Sequence, residues 1–231
     1  MMRRIFTVIL SLILLMLPVQ ASTVNLGGVF SGGDFSINIS SITELRFKTI
    51  YKQQYDFSCG SATLASLLSF HYDDVVDEFM VFKDMYNNGN QQKIQQNGFS
   101  LLDMKHYLSR RGYNSNGFKI SLKQLAKAEI PAITIINNKG YMHFVIIKGI
   151  DDNEVLIGDP AVGIKVYSRA EFEKVWNKRI LFVIQDKKDI ASNHYQSQAE
   201  WRLRVKGHLV LAVDHSSLAL FNMLQPSAID F

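Results

Sequence analysis

Residues 53–68 read QQYDFSCGSATLASLL, and this stretch decides the fold. Behind Cys59, apolar side chains recur at helical spacing, which predicts a helix over residues 59–72. Asp56 or Ser58 is available as its N-cap, because a short polar side chain can accept a hydrogen bond from the first helical N–H groups. The stretch therefore predicts a cysteine at the N-terminus of a helix that packs into a core.

Two more helices follow before the pattern changes to strands. Residues 74–86 continue the helical periodicity. A third helix is expected to begin with Ser100 and Asp103, whose spacing suits a capping box, and to end at Gly112. Apolar runs rich in β-branched residues then predict strands over 130–136, 141–150, 154–158 and 180–185. Helices grouped before strands indicate an α+β fold in which a helical half packs on an antiparallel sheet.

Length and composition indicate one folded core. The chain has 231 residues, of which 47% are hydrophobic and 20% are charged, a balance that favours folding over disorder. It is too short for two full domains once a leader is removed. The predicted organisation is a signal peptide over 1–21, an extended arm over 22–50, a folded domain over 51–187, and a C-terminal extension of unknown role over 188–231.

The N-terminus has the pattern of a secretory signal peptide. Basic Arg3 and Arg4 precede an apolar run from Ile5 to Leu17, and small residues predict cleavage after Ala21. An uncleaved membrane anchor is the alternative, but a spanning helix needs about 20 residues and this run is shorter. No later run reaches that length. We therefore expect a periplasmic or secreted protein without a stable membrane span.

Charge and histidine spacing argue against two classes of binding protein. The formal net charge of +4 falls to +2 once Arg3 and Arg4 leave, and the remaining Lys and Arg are scattered among acids, so nucleic acid is not an expected partner. No metal or other cofactor is expected, because HExxH, CxxC and similar ligand spacings are missing. We assign no role to His71, His106, His194, His208 and His215.

Cys59 is the single cysteine of the chain. Exported proteins usually carry paired cysteines as disulfides, and a lone thiol in an oxidising compartment is a liability. Two interpretations follow from the count alone. Cys59 is either a reactive thiol or a buried, inert residue that behaves as a small apolar side chain.

Four residues together have the pattern of a cysteine nucleophile with its supporting groups. A thiolate forms most readily at a helix N-terminus or beside an imidazolium, and Cys59 has the first position. Gly60 adds no side chain that would crowd a substrate. His143 lies near the start of a predicted strand, and Asp159 ends the next one, where it can orient the imidazole. Gln53 can supply an amide to an oxyanion hole.

Each of these residues also has an ordinary structural explanation. His143 alone would be a strand histidine, Asp159 a turn residue and Gln53 a surface glutamine. Tyr141 and Phe144 are expected to be packing residues. The argument for chemistry therefore depends on the four residues occurring together and in order.

The three stretches QQYDFSCGSATLASLL, YMHFVIIKGI and VLIGDPAVG resemble the bacteriocin-processing, double-glycine peptidases, a papain-like family. Gln53, Cys59, His143 and Asp159 match that family's motif in type, order and approximate spacing, over roughly residues 50–185. The resemblance implies a papain-like fold, no metal, and hydrolysis after a Gly-Gly pair in a leader-like segment through a thioester acyl-enzyme.

The signal peptide suggests a particular setting for such an enzyme. Many family members are the N-terminal domain of an ATP-driven transporter, whereas free-standing exported relatives are similar to components of bacterial amyloid-fibre and biofilm secretion systems. The expected partners are a peptide or protein with a Gly-Gly site and proteins of such a system. Two rival functions remain open: a non-catalytic peptide-binding module, and an acyl-transfer enzyme that uses the same residues.

The arm carries Gly27-Gly28 and Gly32-Gly33. One hypothesis is that the enzyme trims its own arm or holds it in the cleft. Ordinary flexible turn glycines are the simpler alternative.

Overall fold

The fold is known from a computed structural model of the chain. It describes residues 42–204 except 56, 139 and 177–178, together with the backbone of 23–25 and 36–38. The predicted signal peptide and both Gly-Gly pairs lie outside the described residues.

Two short strands form a small unit of their own near the N-terminus. β1 (Thr23–Asn25) and β2 (Ser36–Asn38) pair antiparallel, with Val24 opposite Ile37. This pairing is consistent with the extended conformation predicted for the arm. The remaining described residues belong to a second compact unit, which begins at Ile42.

The second unit combines helices with one six-stranded sheet. Its described helices are α1 (Ile42–Arg46), α2 (Cys59–His71), α3 (Glu78–Asn88), α4 (Gln91–Asn97), α5 (Leu101–Arg110), α6 (Leu122–Ala128), α7 (Arg169–Val175), α8 (Lys188–Asn193) and α9 (Gln198–Trp201). Its strands are β3 (Ser115–Phe118), β4 (Ala132–Asn138), β5 (Tyr141–Ile150), β6 (Glu154–Asp159), β7 (Gly163–Ser168) and β8 (Leu181–Ile184). The strand order is β3-β8-β4-β5-β6-β7 and every pairing is antiparallel. The α+β prediction is confirmed.

Helix α2 lies at the centre of the core. It begins at Cys59, as predicted, and every residue from Cys59 to Leu68 is buried. Ser58 occupies the N-cap position but its side chain caps no N–H group. A helix that is apolar on nearly all sides is stable only when it is enclosed, and here α2 packs against the buried strand β5.

Helices α3 and α5, which correspond to the second and third predicted helices, show how capping sets a boundary. Helix α3 begins at Glu78 and not near residue 74, because Asp77 Oδ1 accepts the N–H groups of Phe79 and Met80 at 2.8 and 3.3 Å. The third begins as predicted. Ser100 Oγ accepts the Asp103 N–H at 3.2 Å, and Asp103 Oδ2 accepts the Ser100 N–H at 2.8 Å. Gly112, with φ of 81°, follows its end.

Several short elements were not predicted. Strands β3 and β7 and helices α4, α6 and α7 have few buried side chains, so their hydrophobic period is weak. β7 is positioned by the tight turn after Asp159, in which Gly163 has φ of 84°. A side chain on Gly163 would also meet Arg46 at 2.7 Å.

Segments at both ends of this unit pack into it. Ile42–Arg46 is helical and not extended as predicted, and Ile50 is fully buried. In the C-terminal extension, Ala191 and Trp201 are buried in the core. The domain boundary at residue 187 remains a prediction. Among the described residues, no helix has both the length and the apolarity that a membrane span requires.

Candidate active site

Cys59 is the first residue of α2 and is 7% exposed. The loop before it is closed by Ser58, whose hydroxyl donates to Tyr55 O and whose Oγ accepts the Tyr55 N–H, both at 3.1 Å. Backbone N–H groups at a helix start have no acceptor within the helix, so this position favours a negative charge. Cys59 therefore lies at a helix end that favours a negatively charged group.

Gly60 lies close to two core side chains. A Cβ at this position would lie 2.9 Å from Phe99 Cβ and 3.2 Å from Met104 Cε. Both neighbours belong to the core, and Phe99 also lines the groove that Cys59 faces. Gly60 thus allows α2 to approach these residues closely.

His143 and Asp159 form a buried pair. His143 Nε2 lies 2.7 Å from Asp159 Oδ1, and the two side chains are 5% and 9% exposed. The same carboxylate oxygen accepts the Ala161 N–H at 2.8 Å, which holds it in the turn after β6. A carboxylate that is fixed in this way sets both the orientation and the tautomer of the imidazole.

Cys59 lies close enough to His143 to affect its protonation. Burial by itself would lower the pKa of His143, but hydrogen bonding and negative charge from Asp159 and Cys59 outweigh it and raise the pKa to about 9. Nδ1, the other ring nitrogen, is buried and makes no hydrogen bond of ordinary geometry with any described residue. Contacts of this kind are often long before substrate binds. The imidazolium is therefore the favoured form at neutral pH.

A third contact holds the helix and the strand together beside this pair. Thr63 Oγ1 donates to Phe144 O at 3.2 Å, and the contact is buried. Thr63 lies one helical turn after Cys59, and Phe144 adjoins His143. The hydrogen bond therefore limits how far the sulfur and the imidazole can move apart.

Gln53 is bonded to the same turn as Asp159 but its amide does not face the cleft. Its N–H donates to Pro160 O at 2.9 Å, while its side-chain Nε2 donates to Tyr55 O at 3.3 Å. Oε1 is buried and accepts no hydrogen bond within the part of the chain that is described. The structure thus brings Cys59, His143 and Asp159 together and leaves the Gln53 amide beside them.

A groove of about 830 Å³ opens at the pair. One wall is formed by the connection between α4 and α5 and the first turn of α5, including Leu102, and the other by the β4–β5 hairpin, including Tyr141 and Met142. Tyr141 is 50% exposed and its ring lies 5.9 Å from the His143 ring. Both Tyr141 and Phe144 line the groove, but Phe144 is buried in the core, as predicted, whereas Tyr141 is half-exposed. The groove can admit an extended peptide across the sulfur.

Sequence comparison decides the family. Residues 47–188 match the peptidase C39 family. The chain belongs to the peptidase C39 family. It is a cysteine peptidase.

Relatives of this peptidase include two proteins from pseudomonads. A probable functional amyloid protease, FapD, from Pseudomonas aeruginosa is 39% identical over 179 residues, which are 77% of this chain and 79% of the relative. Its namesake from Pseudomonas fluorescens is 36% identical over 181 residues, 78% of this chain and 80% of the relative.

A solved structure confirms the papain-like fold of the peptidase. The peptidase domain of Streptococcus ComA, a bifunctional ABC transporter involved in quorum sensing, superimposes with a TM-score of 0.50 at 21% identity. The match covers 59% of this chain and 96% of that domain.

Two residues near the peptidase's cysteine are not identified by the sequence analysis. Thr63 was missed although its spacing of four from Cys59 places both on one face of the helix. Glu78 is 6% exposed, lies beside Ser58 and Ser61, and has a pKa that burial raises. Nothing in the local sequence distinguishes Glu78 from the other acids of a helix first turn, so only the fold identifies it.

Within the described part of the peptidase, the titratable groups form no cluster that could hold a metal ion. No group of three or more His, Cys, Asp and Glu side chains within the described ranges is arranged to hold an ion. His71 is buried with neither ring nitrogen bonded, and its pKa is lowered well below the ordinary value, first by burial and then by Lys148. His194 instead pairs with Asp73 at 3.0 Å. His208 and His215 lie outside the described residues.

Proposed function

We propose that Cys59 is the nucleophile of this peptidase, with His143 as its acid and base and Asp159 as the group that orients His143. The observation that carries the proposal is that Cys59 and His143 line one groove, where Asp159 holds the imidazole at 2.7 Å. In this proposal the sulfur acts as a thiolate beside the imidazolium. That combination supplies both a nucleophile and a proton for the leaving group.

The reaction proceeds in two steps with one proton carrier. The Cys59 thiolate attacks the carbonyl carbon of the scissile bond, the C–N bond breaks, and the departing amine takes the proton of the His143 imidazolium. Water then gives a proton to neutral His143 and adds to the thioester, which releases the acid and restores the thiolate. Asp159 keeps the imidazole in place through both transfers.

Backbone N–H groups at the start of α2 and the Gln53 amide stabilise the oxyanion in this scheme. Gln53 is tied to the turn after Asp159, which supports the assignment. The role requires its amide to leave Tyr55 O and turn toward the groove when the substrate binds, because an oxyanion-hole donor must lie within hydrogen-bonding distance of the developing charge.

We propose that the peptidase cleaves after a Gly-Gly pair in a leader-type segment of a secreted protein or fibre component. Such specificity would follow from a narrow slot beside the sulfur that accepts backbone without a Cβ and excludes larger residues. The names of the two pseudomonad relatives support an amyloid-related partner. The signal-peptide pattern at residues 1–21 supports a periplasmic or secreted location.

Turnover of a defined peptide tests the assignment. We expect the purified protein to cut a leader-like peptide after Gly-Gly, and Cys59→Ala and His143→Ala each to abolish cleavage. His106→Ala is the matched control, because His106 is exposed on α5 and lies away from the groove. Mass spectrometry of the products identifies the cut and separates hydrolysis from transfer to an amine. Wild-type rates in either of the first two variants would refute the roles.

A further inference from the structure

The pairing of β5 with β6 contains a register shift. Ile146 pairs with Gly158 and Ile147 with Ile157, and beyond the shift Gly149 pairs with Leu156 and Ile150 with Val155. Lys148 is thus the extra residue of a β-bulge. His143 and Asp159 lie on the same side of this bulge, toward the groove.

The bulge decides whether the two catalytic side chains share a face. Continuing the register of Ile146 and Gly158 by one residue places Asp159 opposite Val145, which has the same face as His143 because side chains alternate. If the register of the Gly149–Leu156 pair continued through Lys148 without a bulge, Asp159 would instead lie opposite Ile146. A shift of one residue moves a side chain to the other face of the sheet. The extra residue is therefore needed for the hydrogen bond between His143 and Asp159.

The bulge residue is held by a buried ion pair. Lys148 is 1% exposed, and its ammonium donates to Thr49 O at 3.0 Å, to Thr49 Oγ1 at 2.9 Å and to Glu200 Oε1 at 2.5 Å. A buried ammonium is tolerated only where such partners satisfy it. Glu200 belongs to α9, so the partner that neutralises Lys148 comes from the C-terminal extension.

The same extension satisfies the backbone of the bulge. The Gln196 N–H donates to Lys148 O at 2.9 Å, and its side-chain amide donates to Ile150 O at 2.5 Å. A Cβ on Gly149 would lie 3.0 Å from Gln196 Cγ and 3.3 Å from Trp201, so the extension packs directly on the bulged strand. Three side chains of this extension therefore contact the bulge from one side.

We infer that residues 188–204 are a positioning element of the active site, which holds the Lys148 bulge and so keeps Asp159 on the face of His143. The inference rests on the proposed function, since it concerns the same pair. Gln196 and Glu200 act through the bulge and do not touch the reacting atoms. A positioning role differs from a purely structural one because it alters the chemistry of protein that remains folded.

The pH profile of Cys59 alkylation in the full chain separates these roles. Iodoacetamide labels a thiolate, so in the wild type we expect labelling at mildly acidic pH, where an ordinary thiol is inert. Glu200→Gln and Gln196→Ala should weaken the hold on the bulge, shift this profile to higher pH and reduce labelling at the acidic end at least tenfold. The matched control is Glu173→Gln, which breaks the exposed pair of Glu173 with Arg179.

Circular dichroism establishes that each variant is folded before its profile is compared. A folded Glu200→Gln protein with the wild-type profile overturns the inference. Should that variant not fold, the Lys148→Met/Glu200→Met double variant removes both charges. A shifted profile in the folded double variant supports the inference, and an unchanged one overturns it. A wild-type protein that is inert at acidic pH overturns the proposed function itself.

Discussion

At the scale of single residues, the protonation of His143 links structure to activity. Burial alone would make the imidazole neutral, since a low-dielectric interior disfavours charge. Asp159 and Cys59 reverse that preference and raise its pKa to about 9. The imidazolium therefore persists at neutral pH and loses its proton only as the pH rises through this value. Activity that depends on the imidazolium should decline over the same range.

Substituting the orienting carboxylate tests this account. In Asp159→Asn, the negative partner is lost, so the pKa of His143 should fall and the alkaline limb of kcat/KM should move from near pH 9 to lower pH. We also expect turnover to drop by roughly 10²-fold or more, because the asparagine also changes which tautomer is favoured. Steady-state rates across pH measure both effects. An alkaline limb that stays near pH 9 would contradict the assignment of this limb to His143.

At the scale of elements, the site depends on how one helix meets one strand. Helix α2 carries Cys59 at its first residue and β5 carries His143 near its start. The hydrogen bond from Thr63 to Phe144 O joins the helix to the strand. It lies one helical turn after Cys59 and one residue after His143. Its loss should matter more for catalysis than for folding, since a small displacement of reacting groups reduces rates strongly.

Thr63→Val removes this hydrogen bond while preserving shape. We expect a loss of about 0.5–1.5 kcal/mol in the free energy of unfolding and a several-fold lower kcat with little change in KM. Denaturant unfolding and peptide kinetics measure the two effects. Thr134→Val is the control, because this buried threonine bonds Ile180 O and Trp176 at the other side of β4. It should lose stability and keep kcat, and equal kinetic losses in both variants would argue against a specific role for Thr63.

At the scale of the molecule, both ends of the described unit meet at one buried charge cluster. Thr49, Lys148 and Glu200 come from three distant parts of the chain and bond one another. Burial lowers the pKa of Lys148 although Glu200 favours its charged form. Such a cluster joins the N-terminal segment, the histidine strand and the C-terminal extension into one cooperative unit.

Breaking this cluster from one side should be costly to stability. We expect Glu200→Gln to lower the free energy of unfolding by about 3–5 kcal/mol, because an unpaired ammonium would remain buried. Lys148→Met/Glu200→Met should lose considerably less, since apolar side chains of similar volume replace both charges. Denaturant titration of the single and double variants measures the difference. A double variant as unstable as the single one would contradict this explanation.

The amino-acid sequence by itself determined the local features of this peptidase. The helix start at Cys59, the exact extent of β5 and the capping box at Ser100 all follow from neighbouring residues, and the ordered motif identified the family. Short elements such as β7 escaped prediction because few of their side chains are buried, and the start of α3 was misplaced because the cap is Asp77.

Only the tertiary structure decided which side chains meet. Sequence order suggested that His143 and Asp159 belong together, but a bulge at Lys148 puts them on one face, and a residue some fifty positions later holds that bulge. The orientation of the Gln53 amide and the close packing at Gly60 likewise depend on distant partners. Strand register and core packing arise from contacts between remote segments, and no local pattern encodes them.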